Sequence, residues 1–560
     1  MTRRSLDISP ECPIEPHYLS LPQRRKARTL ENLLPSSLSF KNNICYSQMI
    51  VVWQLCRSLP TKLLQLQHEV IPGWNEVNTK LSPKIIATKI GYGPMIPSAP
   101  TDPSVVHKGI EYAVKLSAKL GLKHTIVTAD QAIYDIAFSL REKAPDDDEI
   151  YGHLILMLGQ FHLASNFNAA IGKLMRGSGG EEILAKSGIC KLGTANKIFG
   201  PSGDYYQSMR AHKLLREAMA RLHWEAFEDW YQNNNGDMQV IGDLESELQE
   251  FCNGVVDDNV QITSKLPMQS ISNLEELMAE FDREREFSPS HVVWRTYIKM
   301  VDILINFTSS YRKGDWEQSL HEASNMLPYI ISAGHHNYSY SFPLYLSEMN
   351  VLKNTAPEVW SYFMKGCFAV RRKDGSFNGV PADMALEQTY NKDAKESASG
   401  LSGITLDAKA RMKWVYAKPI TSEVSTQFRQ MLNISERGTP SHHNEGKLEE
   451  VSKIVSCIKD HMINPFSNLS KDLMSLATGQ TASPECVHDM CNIEKIGRDT
   501  LNACLKDHCT KVKKIKLHTF ETMQAKAKKQ PQKHPLIKEE VSLLKRIFHL
   551  KSSGMDVNLE

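Results

Sequence analysis

The chain has 560 residues, 41% apolar and 23% charged, which is ordinary globular chemistry with room for two to four domains and a core that needs no disulfide staples. No 18 apolar residues run uninterrupted and no apolar segment follows Arg3 and Arg4, so neither a transmembrane helix nor a signal peptide is predicted; 11 scattered cysteines fit reduced thiols inside the cell. The net charge of +2 conceals an asymmetry: residues 511–551 hold 12 Lys/Arg against 3 Glu, leaving −7 on the remainder.

Residues 1–45 read as a flexible, proline-containing arm. The run Arg24-Arg25-Lys26-Ala27-Arg28 has the composition of a nuclear localisation signal, which favours the nucleus over the cytoplasm. Residues 46–70 read as an apolar helix broken at Pro60. An α/β segment then begins. KIIATKIGY, 84–92, has the β-branched content of a strand. Asp102-Pro103 opens a helix with Val106, Ile110, Val114 and Leu120 on one face. HTIVTA, 124–129, and HLILML, 153–158, are short apolar strands. Each is followed by helical periodicity, over 131–143 and from Leu163 to Leu174. Strand, helix, strand, helix at this spacing predicts parallel strands with helical crossovers, and chemistry in such sheets sits at the C-terminal strand ends.

Residues 177–200 are Gly-rich and read as irregular, and 204–232 as a long amphipathic helix. The acidic stretch 236–290 reads as a loop or partly ordered insert. Helices are predicted over 291–331 and 342–366, a strand over 366–372, and a helix capped by Asp383. The domain organisation is then an arm at 1–45, an α/β core at 46–235 and the acidic insert at 236–290. A helical insertion returns to the core over 291–435, a linker spans 436–450, and a helical region with a basic arm fills 451–560.

Asp130 and His162 follow the second and third predicted strands, where a carboxylate can hold a divalent metal and an imidazole can meet a metal, a phosphate or Asp130 itself. Asp is also a favoured N-cap residue, and the local sequence supports a cap before a ligand. Glu387, in the helix after Asp383, can complete a carboxylate set or remain a solvated surface residue. Gly172-Lys173 is no Walker loop, and Gly177–Gly180 fits a helix end better than a phosphate cradle. Cys486, His488, Cys491, Cys504, His508 and Cys509 have loosely zinc-like spacing without a C-x-x-C pair.

A resemblance rests on Tyr46–Met49, Leu55–Pro60, Ile71–Trp74, Pro94–Pro97, Pro100–Asp102, Asp130–Tyr134, Gly159–His162, Arg210–Leu215, Gly379–Asp383 and Glu387–Thr389. These runs resemble a multicopy protein family of animal genomes whose copy number implies mobile-element ancestry. The α/β segment is similar to the RNase H-like core of Mutator-like transposases, in which an Asp ends a strand and the next strand ends in Cys-x-x-His. Here Asp130 takes the first place, and Gly159-x-x-His162 departs from the second. The resemblance implies an incomplete RNase H-like α/β fold with a large helical insertion. It implies catalytic or metal-holding roles for Asp130, Glu387 and His162, with Mg2+ or Mn2+ as cofactor. RNase H-like chemistry needs three carboxylates around two metal ions. The first should come from a strand before 84–92, yet residues 43–83 offer only Glu69 and Glu76, and Asp102 follows that strand.

The function expected is therefore a transposon-derived, DNA-binding protein with a degenerate catalytic site. The alternatives are an active metal-dependent nuclease or strand transferase, and a helical scaffold without a nucleic-acid role. DNA contacts are assigned to the basic arm through Lys511, Lys513, Lys514, Lys516, Lys526, Lys528 and Lys529.

Overall fold

The computed structural model describes residues 74–388 apart from short gaps, the longest at 257–267, together with most of 444–510 and a few residues near 52–57 and 424–432. The predicted arm, the Pro60 break and the basic arm lie outside the described residues. Helix α1 spans Trp74–Leu81 and α2 Pro103–Lys119. Strand β1 (Thr125–Ala129), helix α3 (Gln131–Arg141), strand β2 (Leu154–Leu158) and helix α4 (Gln160–Leu174) form the α/β unit. Short helices α5 (Gly180–Lys186) and α6 (Leu192–Ile198) lead to the 29-residue α7 (Tyr205–Asn233). There follow α8 (Met238–Val256), α9 (Met268–Glu284), α10 (Pro289–Lys313), α11 (Trp316–Ser332), α12 (Tyr338–Thr355), α13 (Pro357–Met364) and the short α14 (Ala382–Leu386). The last described elements are α15 (Asn444–His461), α16 (Pro484–Cys491) and α17 (Ile493–Thr510).

Side-chain caps set the helix starts. Asp102 accepts from the Ser104 amide at 2.8 Å, Asp204 from Gln207 at 2.9 Å and Asp315 from Gln318 at 3.0 Å, each satisfying an amide that its helix leaves free. The two strands pair in parallel, with Thr125 opposite Leu154 and Ala129 opposite Leu158. Every residue of β2 is buried, because β1 pairs with the strand and helices α3 and α12 pack against it. Helix α11 packs on α10, α4 and α17, with Trp294, Trp316 and Tyr329 fully enclosed. Two ion pairs join distant segments within this core: Arg216 grips Asp302 through two bonds of 2.6 and 3.0 Å, and Arg57 meets Glu217 at 2.9 Å.

The structure corrects several expectations. The described part of the predicted strand 84–92 does not join β1 and β2. Ile85 instead makes a single antiparallel bridge to Gly375, and the Thr88 amide donates to the Arg371 carbonyl. Ile86 is 81% exposed, so its β-branched side chain marks extended surface backbone rather than a buried strand. The predicted strand at 366–372 contributes only the bridge between Val370 and Val380. The acidic stretch 236–290 is largely helix. Ile241, Leu244, Leu248 and Phe251 on α8, with Ile271, Leu274 and Phe281 on α9, recur at helical spacing and are buried, while the acidic residues lie mainly on the outer faces. The region 177–200 holds α5 and α6, and the predicted 291–331 helix divides at Gly314, whose φ of +90° ends α10. The polar linker at 436–450 overlaps α15, which begins at Asn444. Leu120, expected on the buried face of α2, is the exposed C-cap residue.

Candidate functional site at the strand ends

The C-terminal ends of β1 and β2 stay joined past the ladder, since the Gly159 amide donates to the Ala129 carbonyl at 2.8 Å. Asp130 leaves the first strand here. Its Oδ1 accepts from the Ile133 amide at 3.0 Å, so it caps α3, the simpler of the two roles its position allows. Gly159 leaves the second strand as the N-cap residue of α4 and has no side chain with which to cap it.

Asp383 supplies the missing cap from 221 residues away. Its carboxylate accepts from the backbone amides of Phe161 at 3.2 Å and His162 at 3.0 Å, and from His162 Nδ1 at 2.9 Å. This corrects the expected role of Asp383: the N-cap of its own helix is Pro381, and Asp383 reaches across to α4. The approach demands glycine at 159. A Cβ there would stand 2.4 Å from Asp383 Oδ2 and 3.3 Å from the Ala129 carbonyl. Any larger side chain at this position would collide with that carboxylate.

His162 is half-buried, and Asp383 raises its pKa above the ordinary value. The Asp383 hydrogen bond is the main cause; burial opposes it, and the charges of Asp383, Asp130 and Glu387 add to it. The fold thus brings Asp130, His162 and Glu387 into one electrostatic neighbourhood, with Glu387 in the turn that continues α14. It does not bring them to one coordination point. Among the described residues, the three metal-capable ligand atoms found within 4.8 Å of one another belong to His223, Asp282 and His291, elsewhere in the molecule. At the strand ends one Asp130 oxygen holds a helix amide, and the Asp383 carboxylate holds three N–H donors.

The surroundings are aromatic and polar. Phe161 meets Tyr205 edge-on at 5.1 Å, and Asn166 bridges the His162 carbonyl at 2.8 Å and the Tyr338 hydroxyl at 3.0 Å. Burial pushes the Tyr205 phenol up to about 12, and burial next to Asp130, Asp135 and Asp383 also raises that of Tyr338. A cavity of about 420 Å³ lies alongside, lined by Asn166, Asn168, Lys173, Arg176, Tyr205 and His335. Asn168 is 3% exposed and its Oδ1 has no hydrogen-bond partner. Chemically, the strand ends offer an oriented imidazole that carries its proton to higher pH than usual among three carboxylates, while Lys173 and Arg176 line the cavity towards the other end of α4.

Other singled-out residues are structural. His212 is buried against the Tyr297 hydroxyl at 3.1 Å, and burial lowers its pKa to about 4, so it packs as a neutral ring. Arg210 pairs with Glu450 on α15. Cys486 and His488 are exposed on α16, Cys491 and Cys504 are free thiols, and no zinc-like group forms among the described residues of that set. The seven lysines assigned to DNA, from Lys511 to Lys529, lie outside the described residues. No described helix is long and apolar enough to cross a membrane.

Residues 73–559 match the model of a family described as a domain of unknown function (DUF8702). No curated protein and no solved structure matches the chain.

Proposed function

The chain belongs to the DUF8702 family, and from its strand-end geometry we propose that it is a transposon-derived protein that binds nucleic acid through an RNase H-like remnant and does not cleave it. The observation that carries this reading is the His162–Asp383 pair at the C-terminal ends of two parallel strands. The chain order supports it: strand, Asp130, helix, strand, His162, helix, a long helical stretch, and then α14 returning to α4 and β1. That order is the one the resemblance to Mutator-like transposases implies.

The loss of cleavage follows from where the carboxylates point. Two-metal phosphodiester chemistry requires carboxylate oxygens free to bind metals about 4 Å apart. Asp130 caps a helix, Asp383 is saturated by N–H donors, and Gly159 stands where the Mutator-like transposase motif that the segment resembles has cysteine. What remains is a binding surface. Lys173 and Arg176, on the wall of the cavity further along α4, present positive charge to a phosphate backbone. The basic segment 511–551 adds +9.

Electrophoretic mobility shift with duplex DNA at 50 and 200 mM salt tests the proposal. Binding that weakens by about tenfold or more as salt rises is expected from counterion release. Absent binding at low salt, or binding indifferent to salt, would leave the scaffold reading in its place.

A further inference from the structure

Far from the strand ends, three helices send ligand-type atoms to one point. His223 Nε2 on α7 lies 2.8 Å from Asp282 Oδ1 on α9, and His291 Nε2 on α10 lies 2.9 Å from the same oxygen. Both histidines are 2% exposed. Phe281 and Phe466 pack edge-on to His223 at 5.4 and 4.9 Å and to His291 at 5.4 and 5.5 Å, so the imidazoles sit in an aromatic shell. Asp282 is the partly open member at 24% side-chain exposure, and its other oxygen accepts from Arg295 Nε at 2.8 Å.

We propose that His223, Asp282 and His291 form a binding site for a divalent transition-metal ion of the Zn2+ class, with solvent as the fourth ligand. Two imidazoles and one carboxylate are a donor set that such ions favour over Mg2+ or Ca2+, which select all-oxygen sites. Convergence on a single carboxylate oxygen from two separate helices is the ligand-like feature. The three ligand atoms lie within 4.8 Å of one another, close enough for a single ion to bridge them. Arg295 fits as the outer partner: by holding Oδ2 it turns Oδ1 toward the imidazoles, as hydrogen-bonded ligating carboxylates require. Metal–ligand distances of about 2.0–2.1 Å put tetrahedral ligand atoms about 3.4 Å apart, so the site must open by about half an ångström. The partly exposed Asp282 side chain has the freedom to do so, and its open flank is the route of entry. The bound ion would fasten α7, α9 and α10 together, and α9 is otherwise held mainly by its apolar face.

Equilibrium dialysis of the chelator-treated full chain against Zn2+, read by elemental analysis, is the first test. The second is titration with Co2+, read by visible absorption. One ion per chain is expected, with the d–d bands of a tetrahedral nitrogen/oxygen site and no thiolate-to-cobalt charge-transfer band. Asp282→Asn retains an acceptor for both imidazoles, so a hydrogen-bonded network survives it; affinity for Zn2+ should nevertheless fall by more than about tenfold. His291→Gln gives a second variant, and a Zn2+-induced rise in the wild-type melting temperature needs no variant at all. Absence of bound Zn2+, thiolate charge-transfer absorption, or undiminished binding by Asp282→Asn would each overturn the proposal.

Discussion

Gly159 concentrates the logic of the strand ends in one missing methyl group. Gly159→Ala puts a carbon 2.4 Å from Asp383 Oδ2 and must displace either the carboxylate or the strand end. A loss of about 1–3 kcal/mol in urea unfolding is expected, as for overpacking at other tight sites. Gly109→Ala in α2, where an added Cβ meets nothing within 4 Å, should instead stabilise by about 0.5–1 kcal/mol. Equal effects at the two positions would contradict the steric account. Asp383 and His162 carry the second prediction at this scale. The His162 pKa is raised in the folded state, so the pair contributes stability that is complete below the unfolded value of about 6.5 and is lost as pH rises through the folded value. Asp383→Asn should bring the His162 titration, followed by NMR, down toward the ordinary range. An unchanged midpoint would remove Asp383 as its cause. Asp130 and His162 were visible in the sequence because each lies within four residues of the end of an apolar run. Asp383 was visible only as the cap of its own helix, because its partners lie 221 and 222 residues away and its local surroundings describe an ordinary helix start.

At the scale of elements, the periodic segments were the legible ones. Both strands of the sheet, the helices that follow them and α7 appear close to their predicted places, because strict apolar spacing and Asp caps act locally. The pair α8 and α9 was missed because a high acidic content obscured the burial period of Ile241, Leu244, Leu248 and Phe251. Leu248→Ala tests whether that face is a true core. Leu248 is 0% exposed, so a cost of about 2–5 kcal/mol is expected, against a few tenths for Val240→Ala at 38% exposure. Equal, small effects would return 236–290 to a loosely ordered insert. The seam of α10 and α11 offers a pH test. Burial raises the Glu322 carboxyl to about 7, with Asn325 and Asn306 opposing the rise. A raised carboxyl favours the protonated fold, so stability is complete below about 4.5 and falls as pH climbs toward 7. Glu322→Gln should therefore stabilise at pH 8 by roughly 1–3 kcal/mol and change little at pH 4. A gain that is the same at both values would show that burial of the charge is not the cause.

For the whole molecule, sequence patterns described a sheet segment and many helices but could not say how little sheet there is. The described residues contain two paired strands within a large helical body, and the extended segment at 84–90 runs beside 371–375 instead of beside β1. Strand propensity alone does not choose a partner strand; packing does, and the exposed Ile86 shows that one face of this segment stays uncovered. The proposed history follows from that architecture. On that proposal, a strand-end site with glycine at 159 and with carboxylates engaged by helix amides would keep the outline of phosphodiester chemistry without its metal ligands.

The most direct measurement is a cleavage assay: end-labelled duplex and hairpin DNA incubated with the full chain in Mg2+ or Mn2+ and resolved on denaturing gels. The account predicts DNA that is bound yet intact in both metals. Metal-dependent cleavage that disappears in Asp383→Asn would contradict it.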